Sequence, residues 1–147
     1  MSIRLLPQRL AVVAGLGLVL SAAAPALSAA AEPSSVTARL GESAALIAKG
    51  AAVEIPVVYT CSPDASWGGI DLFVTERVPG QRAAEGWASS FGAVCDGTEH
   101  TSAVTVPTSN GIAFHSGTAV VQGNLHACDQ DGYCTYAPVS GTIDVKK

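Results

Sequence analysis

The sequence predicts an all-β protein, a two-layer antiparallel β-sandwich of about seven short strands held by two disulfides. Three observations carry that expectation. Apolar residues recur at every second position in five separate runs. Turn-forming clusters separate those runs. Four cysteines, an even number, all lie downstream of an apolar leader.

The leader comes first. Arg4 and Arg9 are its only charges, and Leu10 to Leu20 contains only Leu, Ala, Val and Gly. Small residues follow, ending in Ala29-Ala30-Ala31. A basic start, a short apolar stretch and a small-residue end define a cleaved secretory signal peptide over residues 1–31. A retained anchor would need about 20 apolar residues, and Pro25 interrupts the run. Residues 32–147 then form a single β-sandwich domain that is secreted and extracellular, with no membrane span left.

Removing the leader changes the charge. The whole chain has 8 basic and 12 acidic residues, net −4. Without Arg4 and Arg9, six basic residues face twelve acidic ones, net −6. Nucleic acid and anionic lipid need clustered Lys and Arg, and the remaining basic residues are scattered, so neither is an expected partner.

The strands follow in order. Val36 to Leu40 and Ala44 to Ile47 supply one or two. Val53, Ile55, Val57, Tyr59 and Cys61 alternate with polar or mixed residues, as a half-buried strand requires. Pro56 has no donor, so it should face an unpaired side of that strand. Ile70, Leu72 and Val74 alternate next, followed by Val104 and Val106. Ala119 to Ala127 and Val139 to Val145 complete the set. Ala83 to Phe91 is either a strand or a turn of helix. Lys49-Gly50, Ser62-Pro63-Asp64, Val78-Pro79-Gly80, Asp96-Gly97, Ser109-Asn110-Gly111 and Ser116-Gly117 supply the turns.

Cys61, Cys95, Cys128 and Cys134 read as two disulfides in an oxidising compartment. Of three pairings, Cys61–Cys95 with Cys128–Cys134 is favoured, because the last two flank a turn. A three-residue loop over Gln130-Asp131-Gly132 sets Cys128 opposite Cys134, with Gly132 in the left-handed position. A two-residue loop would set Cys128 opposite Thr135, so the disulfide selects the register. Zinc would need closer ligand pairs. No metal and no cofactor are expected.

Candidate chemistry is sparse. Asp96, Glu99 and His100 form a weak polar cluster that could serve acid/base or metal chemistry but is better explained as a turn. Asp129 and Asp131 share an acidic loop that lacks the rest of a calcium motif. No serine sits in a nucleophile elbow. Trp67, Trp87, Tyr133 and Tyr136 are the candidate contact residues for a ligand or partner, with Trp67 expected on a loop.

The stretches Tyr59-Thr60-Cys61, Cys95-Asp96-Gly97-x-x-His100 and Phe114-x-x-Gly117-x-Ala119-x-Val121, together with the Cys128–Cys134 pair, resemble small secreted actinobacterial proteins of unknown function. That resemblance implies an immunoglobulin-like sandwich and says nothing about activity. In architecture alone the chain is also similar to the neocarzinostatin-type apoproteins, acidic two-disulfide sandwiches that bind a small ligand in a cleft. The expected function is a non-enzymatic, monomeric binding module for a protein, a glycan or a small apolar ligand. The alternatives are a protease inhibitor presenting Thr135 to Val139, a neocarzinostatin-like carrier, and a small hydrolase.

Overall fold

The computed structural model describes residues 35–147, so the leader lies outside the described residues. Eight strands follow in chain order: β1 Val36–Leu40, β2 Ser43–Ile47, β3 Ala52–Cys61, β4 Trp67–Glu76, β5 Ala84–Phe91, β6 His100–Pro107, β7 Gly117–Cys128 and β8 Cys134–Lys146. A single 3-10 turn, Ala48–Gly50, lies between β2 and β3. The ambiguous segment Ala83 to Phe91 is strand β5, not helix.

Two layers form. In the first, β3 is flanked by β6 on one side and by β1 and β2 on the other. The second has the order β8-β7-β4-β5. Pairing of β2 with β8 joins the layers along one border. At the opposite border Gly86 bridges Thr108, and Ser109 N donates to Glu85 O at 2.7 Å. A Cβ on Gly86 would meet Pro107 O at 2.5 Å, so only glycine lets the two backbones close that border.

One detail departs from an all-antiparallel sandwich: β2 and β8 run parallel. Strands joined by a tight hairpin are forced antiparallel, whereas strands distant in the chain are not. β2 and β8 lie at opposite ends of the described chain. Strand β3 is also central rather than marginal. Pro56 is accommodated because it faces the break between β1 and β2, where its carbonyl accepts from Gly41 N at 2.8 Å.

The alternating residues converge on one core. Val53, Ile55 and Val57 of β3, Leu72 and Val74 of β4, Val121 and Leu125 of β7, and Val139 of β8 are all buried. A buried Val, Leu or Ile contributes roughly 1.5–3 kcal/mol relative to exposure. Both expected disulfides are present, Cys61–Cys95 and Cys128–Cys134. Cys128 pairs with Cys134, with Cα atoms 4.0 Å apart. Asp129 N donates to Tyr133 O at 3.0 Å, and Gly132 has φ 86°. The three-residue loop therefore has the anticipated register. Asp129 Oδ1 caps it, accepting from the N–H groups of Asp131 and Tyr133 at 2.9 Å each.

Candidate aromatic face on the outer sheet

In the second layer, burying one set of alternate residues turns the other set outward. Because Ile70, Leu72 and Val74 point inward, Trp67, Gly69, Asp71 and Phe73 line the outer surface of β4. By the same parity β5 offers Trp87, Ser89 and Phe91, β7 offers Gln122, Asn124 and His126, and β8 offers Tyr136, Pro138 and Ser140.

The strand register sorts these into rows. Tyr136, His126, Gly69 and Phe91 form one row. Pro138, Asn124, Asp71 and Ser89 form the next, and Ser140, Gln122, Phe73 and Trp87 the third. Trp67 opens β4 beside the Cys128–Cys134 bridge. Five aromatics stay open to solvent on this one face: Trp67 49%, Phe73 40%, Trp87 59%, Phe91 75% and Tyr136 64%.

His126 is the buried side chain of the face. Its ring occupies the space a side chain at residue 69 would fill. A Cβ on Gly69 would meet the His126 Cε1 and Nε2 atoms at 2.9 Å. Trp67 stands edge-on to the imidazole, with ring centroids 5.4 Å apart, and Tyr136 is tilted against it at 6.4 Å. Nδ1 of His126 lies 3.5 Å from Oδ2 of Asp71. The Ser89 hydroxyl donates to the other Asp71 oxygen, Oδ1. A carboxylate thus links a serine and a histidine across three strands.

The order of that chain decides its chemistry. Nucleophilic catalysis needs the histidine to accept the serine proton, with the acid behind the histidine. Here the acid sits in the middle and accepts the serine hydrogen bond itself. The arrangement orients polar atoms on the face and leaves Ser89 without a base.

Of the residues singled out in the sequence, Trp67, Trp87 and Tyr136 share this face. Trp67 belongs to a strand rather than to the loop expected for it. Tyr133 stands apart, lining a small cleft of about 110 Å³ with Val36, Ser62 and Ala65. The inhibitor candidate Thr135 to Val139 lies within β8, paired with β7 throughout, and does not protrude as a loop.

The weak polar cluster divides. Asp96 Oδ1 accepts from Thr98 N at 2.9 Å and from Thr98 Oγ1 at 2.7 Å, and His100 Nε2 lies 2.9 Å away. Glu99 turns elsewhere, 3.4 Å from Arg39, in an exposed pair of little energetic weight. Among the described residues no group of three or more His, Cys, Asp or Glu side chains could hold a metal. Asp96 and His100 make a self-capped turn after Cys95.

The Thr98 hydroxyl, then His100 and the Thr98 N–H, hold the Asp96 carboxyl well below the usual carboxylate range. Hydrogen bonds to the charged form produce such a depression. A depressed carboxylate adds stability that is complete above its unfolded value of about 3.9 and is lost as pH falls through the folded value. Thr98→Ala should move the Asp96 midpoint up toward the ordinary value. A carboxyl-carbon NMR titration reads it directly, and an unchanged midpoint contradicts the assignment.

Sequence reasoning missed His126, Asp71 and Phe73. Their signal was present in part: aromatic, glycine, acid and aromatic recur at alternate positions from Trp67 to Phe73. At the far end of the sandwich a separate cleft of about 470 Å³ is lined by Leu46, Lys49, Phe114, His115, Ser116 and Lys147.

Fold and face together define a disulfide-braced β-sandwich with an aromatic outer sheet. No family model matches the chain, and no curated protein does. Among solved structures it is similar to the putative ApaA protein from Bordetella pertussis, at 12% identity and a TM-score of 0.45. That match covers 79% of this chain and 98% of the other. A likeness of that depth says nothing about function.

Proposed function

We propose that this is an exported, non-enzymatic binding module that engages its partner through the outer face of the β8-β7-β4-β5 sheet. One observation carries the reading: five solvent-exposed aromatics share a single face around an ordered His126–Asp71–Ser89 chain. Large aromatic side chains gathered in the open on one face commonly mark a contact surface. Aromatic side chains anchor recognition surfaces because they present large rigid area at low entropic cost.

The two disulfides support export, since such bonds persist in oxidising compartments. Among the described residues no helix is long and apolar enough to cross a membrane. The small-hydrolase alternative is disfavoured by the serine–acid–histidine order, and the inhibitor alternative by the pairing of Thr135 to Val139 inside β8.

A distribution experiment tests the surface without knowing the partner. The full chain, epitope-tagged, is expressed in the cells that naturally make it. Cultures are then separated by sedimentation and by native size. The parent chain is expected with other material, and the Trp87→Ala/Tyr136→Ala double variant free in the medium. Both residues are exposed, so folding should be unaffected. Identical distributions of parent and variant overturn the assignment.

A further inference from the structure

The arrangement of the face narrows the partner class. Protein–protein interfaces place aromatic anchors at the centre and polar groups at the rim. This face is built the other way round. Its central row carries Asp71, Asn124 and Ser89, and the aromatic rows lie on either side of it. Residues two apart on a strand are about 6.6 Å apart, so the aromatic rows stand roughly 13 Å apart with the polar row midway.

Charge narrows it further. From Trp67 to Phe73 the four rows contain no Lys or Arg, and Asp71 is their only acidic residue. A lone carboxylate without basic neighbours repels acidic polymers and anionic lipid. It accepts hydrogen bonds from hydroxyl groups. Neutral sugars match both features. Each ring offers apolar C–H faces that lie flat on an aromatic plane, and a rim of hydroxyls that both donate and accept. Asp71 accepts, the Asn124 amide does both, and Ser89, already donating to Asp71, accepts. The fixed sheet holds these groups in place before binding, which lowers the ordering cost.

We propose that the outer face binds a neutral glycan chain lying along β4. Sugar rings stack on the row holding Phe91 and Tyr136 and on the row holding Phe73 and Trp87. The polar row between them bonds the hydroxyls of the linking residues. Trp67, held edge-on by His126, closes one end. This inference rests on the binding-face reading above and adds the ligand class to it.

The test uses the exported protein purified from full-chain expression. Mobility is followed by affinity electrophoresis in gels containing a soluble β-glucan, a galactomannan or glycol chitin, with sedimentation on insoluble cellulose and chitin. Retardation by at least one of these polymers is expected. Trp87→Ala and Asp71→Asn should each weaken it roughly tenfold, the scale of losing one anchor worth somewhat over 1 kcal/mol. Phe114→Leu, remote from the face, should leave it unchanged. Material retained in the distribution experiment supplies a second arm. Mild periodate oxidation, which cleaves vicinal diols, should release the parent chain from it where the glycan is 1,4-linked glucose or mannose, and chitinase or a 1,3-glucanase should release it where the glycan lacks such diols, whereas protease treatment of that material before binding should not prevent retention. Retention that depends on Trp87 yet survives periodate and both glycanases and fails after protease overturns the glycan while keeping the face. Glycan binding unaffected by Trp87→Ala and Asp71→Asn overturns this site. Distribution unaffected by the double variant overturns the underlying reading.

Discussion

Replacing both Cys61 and Cys95 by alanine is expected to remove about 4 kcal/mol of stability. The two residues are separated by 34 positions. Closing a loop of that length in the unfolded chain costs entropy worth about 4 kcal/mol near 25 °C, on the loop-entropy account. Typical domains have only about 5–15 kcal/mol in total, so the loss takes a large share of the stability. The bridge also has a local task. Cys61 ends β3 in the first layer, and Cys95 follows the segment that leaves β5. In that segment Gly92 and Ala93 both donate to Gly68 O, at 3.0 and 3.2 Å, and Val94 N donates to the Tyr59 hydroxyl at 3.0 Å. The disulfide therefore anchors the chain just past Phe91, at the edge of the aromatic face. Urea unfolding measures the effect. The Cys128–Cys134 bridge, spanning 6 positions, sets the comparison: by the same account its removal costs about 2 kcal/mol. A loss below 1 kcal/mol for the longer bridge contradicts the assignment.

Phe114→Ala is expected to cost about 3–5 kcal/mol, the range for truncating a buried aromatic. Phe114 lies in the connection between β6 and β7, yet it is 1% exposed. Its backbone N donates to Gly50 O at 2.8 Å, and its ring lies over Gly86, where a Cβ would meet Cζ at 3.0 Å. Gly50 has φ 89°, and a Cβ there would meet Phe114 O at 2.2 Å. Both glycines thus make room for one loop residue that plugs the end of the core. Phe91→Ala is the matched control. That ring is 75% exposed, so its truncation should change stability by less than about 0.5 kcal/mol while impairing binding. Thermal or urea melts of both variants decide the matter. Equal losses, or a loss below about 1.5 kcal/mol for Phe114→Ala, would show that Phe114 is no part of the core.

These variants separate core from surface, and that division was only partly readable in advance. Val53 to Cys61 alternate cleanly, so their burial followed from the pattern alone. The loop from Cys128 to Cys134 was readable in full, because one short turn, one glycine and one disulfide set its register. Phe114 gave no such sign: it has no alternating neighbours, and its burial depends on Gly50 and Gly86, distant in the chain.

The candidate face shows the same limit. Strand parity places Trp67, Asp71 and Phe73 on one surface. It does not say that His126 will lie over Gly69, or that Ser89 and Asn124 will flank Asp71. Those neighbours are set by which strands pair and in what register, and outside hairpins that is settled by packing of the whole core. The parallel contact of β2 with β8 has the same origin. The sequence by itself determined the all-β class, the strand runs and the two staples, because alternation and short turns act between near neighbours. The tertiary structure alone decided which outward side chains stand together, because contacts between distant segments form only when both layers close on their common core.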